Sequence, residues 1–202
     1  MVPELQRFLE QQPHMRIRPW SKPGLVIEGR FWFSAESAGK ESINDSYDLL
    51  LEVPEAFPTV LPRVTERDYR IPRMPSYHVN SDGTLCLGSP LRLLAKLYQK
   101  PSLAGFAAEC LVPYLYAISY KLKHGGKLPF SELDHGTRGE LADYAELFRL
   151  DSPEAARRAY ELIRMKKRKA NKLPCPCGCG RRLGKCDFNR TIRKFRGLLR
   201  GY

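Results

Sequence analysis

The apolar positions of the chain change period after the first dozen residues and again near residue 91. These changes separate an opening helix, a run of strands and a closing set of helices. In the first segment Leu5, Phe8 and Leu9 recur at i, i+3, i+4, which predicts a short amphipathic helix over residues 2–12 that Pro13 ends. MRIRPW (15–20) and GLVIEGRFWFSA (24–35) are rich in β-branched and aromatic residues and flank the turn signal SKPG, so they predict two strands. SYDLLLEVPEAF (46–57) predicts a third. Pro54, Pro58 and Pro62 then interrupt pairing and leave RVTE (63–66) as a short edge strand. The expected product is an antiparallel meander of four strands behind one helix.

Between Arg67 and Leu91 no period is sustained, and the segment is dense in Pro, Gly, Ser, Asp and Asn, the composition of an irregular loop. A long structureless stretch inside a compact domain is uncommon and often functional. From Leu91 to Lys123 helical spacing returns. Leu103, Phe106, Ala107, Cys110, Leu111, Tyr114, Leu115 and Ile118 form the apolar stripe of one or two helices covering the sheet, with Cys110 a core-filling residue. HGGKLPFSELDHG (124–136) predicts a further loop. Helices are expected over 140–148 and 153–169, the second opening on the cap and proline signal Asp151-Ser152-Pro153. No internal repeat is present. The fold class expected is α+β.

Charge refines the domain organisation. Of 34 lysines and arginines and 22 carboxylates, residues 151–202 hold sixteen and four, so residues 1–150 are neutral and the tail carries the whole excess. A main domain over 1–150 with a helical extension, followed by a basic tail over 151–202, is the natural division for 202 residues. Such a tail points to an anionic partner, whether nucleic acid, an acidic protein surface or a phosphorylated ligand, against the plainer reading of a solvated helix. The N-terminal segment lacks the basic and unbroken apolar parts of a secretory signal, and no window approaches eighteen consecutive apolar residues. A soluble cytoplasmic protein with no membrane partner is expected. Four of the six cysteines, Cys175, Cys177, Cys179 and Cys186, fall within twelve residues, which suits metal ligation better than disulfides.

The irregular loop places His78, Asn80, Asp82 and Cys86 within nine residues, with Gly83 and Gly88 allowing the backbone to fold back. A loop cysteine is an accessible nucleophile, and a carboxamide such as that of Asn80 can stabilise an oxyanion. A buried loop cysteine with a capping Asn and a structural His is the ordinary alternative. Asp82 before Gly83 reads as a turn former rather than a group that acts on an incoming lysine. A second polar cluster, Glu132, Asp134 and His135, lies in the following loop beyond His124, where His135 is a candidate base, though Asp134 and His135 also precede Gly136 in an expected turn.

YDLLLEVPEAFPTVLPRVTE (47–66) and HVNSDGTLCLGSP (78–90) resemble the third and fourth strands and the cysteine-bearing segment of the ubiquitin-conjugating fold, in its divergent bacterial branch. The order of helix, four-strand meander, proline-rich connection, cysteine and helices is similar too, and the match covers roughly residues 1–125. The resemblance implies a transferase. Cys86 would take the C-terminus of a ubiquitin-like or other partner protein as a thioester from an activating enzyme and pass it to a target amine. His78 and Asn80 would occupy the first and last positions of the family's His-Pro-Asn motif, ordering the loop and stabilising the oxyanion. Val79 stands where the family has proline, and the six positions from Asn80 to Cys86 are fewer than in typical eukaryotic members. Bacterial relatives of this kind are encoded with activating enzymes, deubiquitinase-like peptidases or nucleotide cyclases of antiphage defence, so such partners are implied. The chain has no Gly-rich nucleotide loop with which to activate a C-terminus itself. A non-catalytic binding module of the same fold, or a nucleic-acid-binding adaptor acting through the tail, are the alternatives.

LPCPCGCGRRLGKCDF (173–188) resembles the short SEC-C motif, in which two pairs of ligands hold one zinc ion. The resemblance places Cys175, Cys177 and Cys186 on three ligand positions, and either Cys179 or Asp187 completes the set of a structural zinc site. Around it RMKKRKANK (164–172) and RTIRKFRGLLRGY (190–202) interleave cations with Phe188, Phe195 and Tyr202. Such a surface would bind nucleic acid by phosphate contacts and stacking, or dock a protein as the motif's relatives do, and protein docking is the preferred of the two.

Overall fold

The computed structural model describes every residue except 1, 20–22, 38, 127, 129–135, 201 and 202. Glu132, Asp134 and His135 therefore lie outside the described residues. By its internal contacts the chain divides into two units, Met1–Gly88 with Lys96–Glu132, and Ser89–Ala95 with Leu133–Tyr202. The helix over Gly136–Phe148 thus groups with the basic tail, whereas the charge profile drew the line at 150.

In the first unit α1 (Val2–Gln11) stops two residues before Pro13, which can neither donate into the helix nor tolerate an α conformation before it. Four strands follow: β1 (Met15–Arg18), β2 (Leu25–Ala35), β3 (Ile43–Val53) and β4 (Arg63–Glu66), antiparallel in the order β1-β2-β3-β4. The meander expected from alternation is present, including the four-residue β4. Odd-numbered positions bury one face of the central pair. Ile27 lies opposite Leu51 and Phe31 opposite Tyr47, all under 2% exposed, and Phe8 of α1 stacks on Phe31 at 6.4 Å between ring centroids. Arg16 and Arg18 of β1, with Arg67 just past β4, converge on Glu28 at 3.1, 3.6 and 2.6 Å.

The helix α3 (Leu103–His124), after α2 (Pro90–Leu97), closes the inner face of the sheet. It is the one helix among the described residues long and apolar enough to cross a membrane, and 67% of its apolar window is buried within the protein, as in a core helix. Every residue of the expected stripe from Leu103 to Ile118 is buried. A π-turn over Ala107–Leu111 widens the helix before Pro113. Proline has no N–H for the carbonyl of Glu109 and its ring crowds that carbonyl, so the turn must open there. Lys96 Nζ approaches the Glu109 oxygen at 3.4 Å.

Helix α3 is pinned to the sheet by a buried polar chain. Ser119 Oγ donates to Asp45 Oδ2 at 2.6 Å, which leaves the Tyr47 hydroxyl to donate to Ser119 Oγ at 2.7 Å, and Arg70 grips both Asp45 oxygens at 2.7 Å. Burial pushes the Tyr47 phenol up to about 12. Burial also works against the Asp45 carboxylate, but Arg70, Ser119 and the Ser46 N–H outweigh it and hold its pKa below the ordinary value.

In the second unit α4 (Gly136–Phe148), α5 (Pro153–Arg164), the short α6 (Lys167–Ala170) and α7 (Phe188–Arg200) pack around Tyr144, which stacks on Tyr160 at 5.5 Å, and Phe148, which meets Phe195 edge-on at 4.9 Å. Ser152 caps α5 by accepting from the Ala155 N–H, with Pro153 in the first turn, as the sequence signal requires. Arg196 is buried; it donates to the carbonyls of Ile163 and Leu162 at 3.1 and 2.6 Å and so satisfies the end of α5. Asp143, 2% exposed, accepts from Ser89 Oγ and from Arg92 Nε at 2.6 Å.

Because the folded-state pKa of Asp45 is depressed, its contribution to stability is present above the unfolded carboxylate value and is lost as pH falls through the folded value. Asp45→Asn is expected to destabilise the protein by about 1–3 kcal/mol at pH 7 and to flatten the acid limb of the stability curve. Denaturant titrations at neutral and acid pH check both, and equal loss at both pH values would exclude the charge as the cause.

Candidate functional site

The Arg67–Leu91 segment, expected to be irregular, contains a small hairpin. After β4 the chain makes a 3-10 turn over Pro75–Tyr77 that ends at His78 in the left-handed region (φ 52°). Val79 then bridges Leu85 antiparallel, the Asn80 N–H donates to the Thr84 carbonyl at 2.8 Å, and the Cys86 N–H donates to the His78 carbonyl at 2.8 Å. The three-residue tip, Ser81-Asp82-Gly83, is closed by a Gly83 N–H to Asn80 carbonyl bond of 2.9 Å with Gly83 at φ 82°, the form in which a type I turn is followed by a glycine that only the left-handed region accommodates.

The tip is held by side chains on both sides. Asp82 Oδ1 accepts from the Thr84 N–H and hydroxyl at 3.0 and 2.6 Å, and its Oδ2 pairs with Arg63 at 2.7 Å. The Thr84 hydroxyl and N–H, with Arg63, hold the Asp82 carboxyl below the usual carboxylate range. Its role is that of the turn former. Asn80 Nδ2 donates to Thr84 Oγ1 at 2.9 Å, so its amide is oriented with one of its two protons committed. Arg73 donates to the Gly83 carbonyl at 2.6 Å and to that of Glu66, tying the tip to the end of β4.

The base of the hairpin is held from the core. Tyr114 of α3 donates its hydroxyl to the Tyr77 carbonyl at 2.8 Å, Lys121 donates to Ser76 at 2.8 Å, and the Leu85 N–H donates to Val64 of β4 at 2.8 Å. Burial raises the Tyr114 phenol. Val79 and Leu85 are buried beneath, whereas Cys86 is a free, half-buried thiol at the edge of this platform. The hairpin register thus sets Cys86 across from His78 and Asn80 across from Thr84, with Asp82 at the tip. Arg73, Thr84 and Tyr114 carry no sequence signal for this role, since their partners lie far along the chain or on backbone. His124 binds Glu41 at 2.6 Å, and Cys110 is 2% exposed in the core, its thiol pushed up to about 11 by burial.

The second cluster lies in the tail. The sulfurs of Cys175, Cys177, Cys179 and Cys186 all fall within 4.8 Å of one another, with Cys175–Cys177 at 3.2 Å and Cys186 at 3.6 Å from both Cys177 and Cys179. A tetrahedral ion with metal–sulfur bonds of about 2.3 Å sets its ligand sulfurs about 3.8 Å apart, so the four thiols fit one metal ion. The set closes with Cys179 rather than Asp187. Local backbone builds it: Pro174 bridges Arg182, the Cys175 N–H donates to the Arg181 carbonyl at 2.9 Å, and Gly178 and Gly180 sit at φ 77° and 72°. The Arg181 N–H lowers the exposed Cys179 thiol to about 6, while burial raises Cys175.

No family model matches the chain, and no curated protein or solved structure matches it.

Two predictions follow from the geometry. Tyr114→Phe is expected to destabilise the fold by about 1 kcal/mol and to speed alkylation of Cys86 by iodoacetamide several-fold, read by peptide mass spectrometry; an unchanged rate would mean that the hydroxyl does not hold the loop. Cobalt titration of the full chain is expected to give thiolate-to-metal charge-transfer bands saturating at one ion. Cys177→Ser should weaken that binding by more than the roughly 10–100-fold that loss of an outer-shell partner costs.

Proposed function

We propose that the protein is a ubiquitin-conjugating-like acyl carrier using Cys86, with a structural zinc ion held by the four tail cysteines. The observation that carries this reading is the placement of Cys86: a half-buried thiol opposite His78 on a hairpin fixed from both ends, two hairpin positions from the oriented amide of Asn80. The helix, four-strand antiparallel meander and long covering helix accord with the ubiquitin-conjugating arrangement that residues 47–66 and 78–90 resemble.

In the first step the Cys86 thiolate attacks the carbonyl of an activated C-terminal thioester. A new carbon–sulfur bond forms and the activating enzyme's thiolate leaves with the electron pair. A target amine then attacks the Cys86 thioester, an amide forms, and the Cys86 sulfur departs and takes up a proton. The uncommitted Asn80 Nδ2 proton is a donor for the oxyanion of either step. His78 contributes through its backbone, whose carbonyl receives the Cys86 N–H. The thiolates of Cys175, Cys177, Cys179 and Cys186 would hold zinc, which supplies cross-linking to a segment with little core of its own.

The test is intact-protein mass spectrometry of the chain incubated with ATP and the proteins encoded beside it, wild type against Cys86→Ser. A thiol-labile adduct on the wild type, replaced in the variant by a more stable ester or by nothing, is expected. Absence of any adduct on Cys86 with authentic activating and ubiquitin-like partners would sink the transferase reading and leave a binding module.

A further inference from the structure

We infer that the second unit binds the phosphodiester backbone of double-stranded nucleic acid without reading its sequence. Between residues 164 and 194 the chain holds twelve lysines and arginines and a single carboxylate, Asp187, and all twelve cations are exposed. A divalent ion on four thiolates would remove two units of that charge and leave the surplus large. Such density on a folded surface repels itself and persists when a polyanion discharges it.

The knuckle ties together segments that carry seven of these cations. The Gly184 N–H donates to the Asn171 carbonyl at 3.0 Å, the Leu183 N–H to the Leu173 carbonyl at 2.8 Å, and Asn189 Nδ2 to Asn171 Oδ1 at 2.8 Å. These bonds lock the α6 segment, with Lys166, Lys167, Arg168, Lys169 and Lys172, beside the segment bearing Arg182 and Lys185. No described carboxylate forms an ion pair with any of these seven; the ion pair described within the tail is Arg157–Glu161. On α7, Arg190, Arg193 and Lys194 recur at i, i+3, i+4 on the exposed side, while Ile192, Phe195 and Leu198 face inward.

The same surface speaks against a protein partner. Docked proteins are anchored by large apolar and aromatic side chains in desolvated pockets. Among the described residues of the second unit the exposed large hydrophobics are Met165 and Leu173, at 36% and 39%. Of the aromatics placed among these cations, Phe195 is 3% exposed and packs against Phe148, and Phe188 is half-buried, so among the described residues no fully exposed ring in the basic segments offers itself to unpaired bases. What remains is a field of exposed cations on long stems, which suits evenly spaced phosphates. This reverses the preference for protein docking drawn from the sequence.

The test is fluorescence anisotropy of the full zinc-loaded chain with mixed-sequence duplex DNA and duplex RNA over a salt series, with polyglutamate as competitor. A log–log salt slope of about −4 or steeper is expected, each phosphate contact contributing about −0.9, with little dependence on sequence; the DNA and RNA arms identify the polymer. The variant Lys167→Gln/Lys169→Gln/Lys172→Gln/Arg182→Gln should keep its metal content and melting temperature, bind at least tenfold more weakly at moderate salt, and lose roughly one unit of slope per contact removed. Should those changes disturb the knuckle, Arg190→Gln/Arg193→Gln/Lys194→Gln on the exposed side of α7 tests the same point. No binding at low salt, a flat salt response, an unaltered variant, or displacement by polyglutamate as effective as by unlabelled duplex would each overturn the inference.

Discussion

A hydroxyl sealed in an apolar core must find an acceptor or destabilise the fold by its full desolvation penalty, and Tyr114 meets that demand with the carbonyl of Tyr77. This one bond converts the packing of α3 on the sheet into a fixed position for the turn that leads into His78, and the hairpin behind Cys86 inherits it. Ser119, five residues on, meets the same requirement through Asp45 and Tyr47. These two buried contacts therefore join the surface ones of Lys121 and His124 in fixing the long helix along its axis. The site's rigidity is a by-product of satisfying buried polar atoms.

The strands and most helices were legible because their signals are local. Alternation in β2 and β3, proline spacing before RVTE and the cap before α5 need no distant partner. What escaped reading depends on contacts across the chain. The hairpin at 79–85 looks irregular because its pairing is only a few residues long and is stabilised by Val64, Arg63 and Arg73 from elsewhere. The π-turn follows from Pro113, yet the apolar stripe runs through it undisturbed, so periodicity gave no warning. Phe195 has the basic neighbours of a stacking surface, although its spacing from Ile192 marks it as inward-facing. Of the cysteine cluster, the crowding along the chain was visible, but only folding sets the Cys179 sulfur, and not Asp187, beside the other three.

The second unit combines an apolar core with a polar closure of its backbone. Tyr144, Phe148, Tyr160 and Phe195 supply an aromatic nucleus for three helices, and Arg196 spends its charge inside, on the carbonyls that end α5. The twelve cations of residues 164–194 stay outside. That separation of one buried arginine from many exposed ones explains why the tail folds despite its charge: the buried guanidinium replaces water for two carbonyls, and its fellows keep their hydration.

The docking of Thr84 and Leu85 beside Thr65 and Val64 has a bearing on solubility. A terminal strand offers unpaired donors and acceptors to any other extended chain, and on β4 part of that rim is shielded by the segment that carries the cysteine. The thiol-bearing loop therefore serves as a guard on the sheet. Any excursion that swings it outward bares β-strand backbone at the same moment, so freedom of the loop and safety from self-association trade against each other.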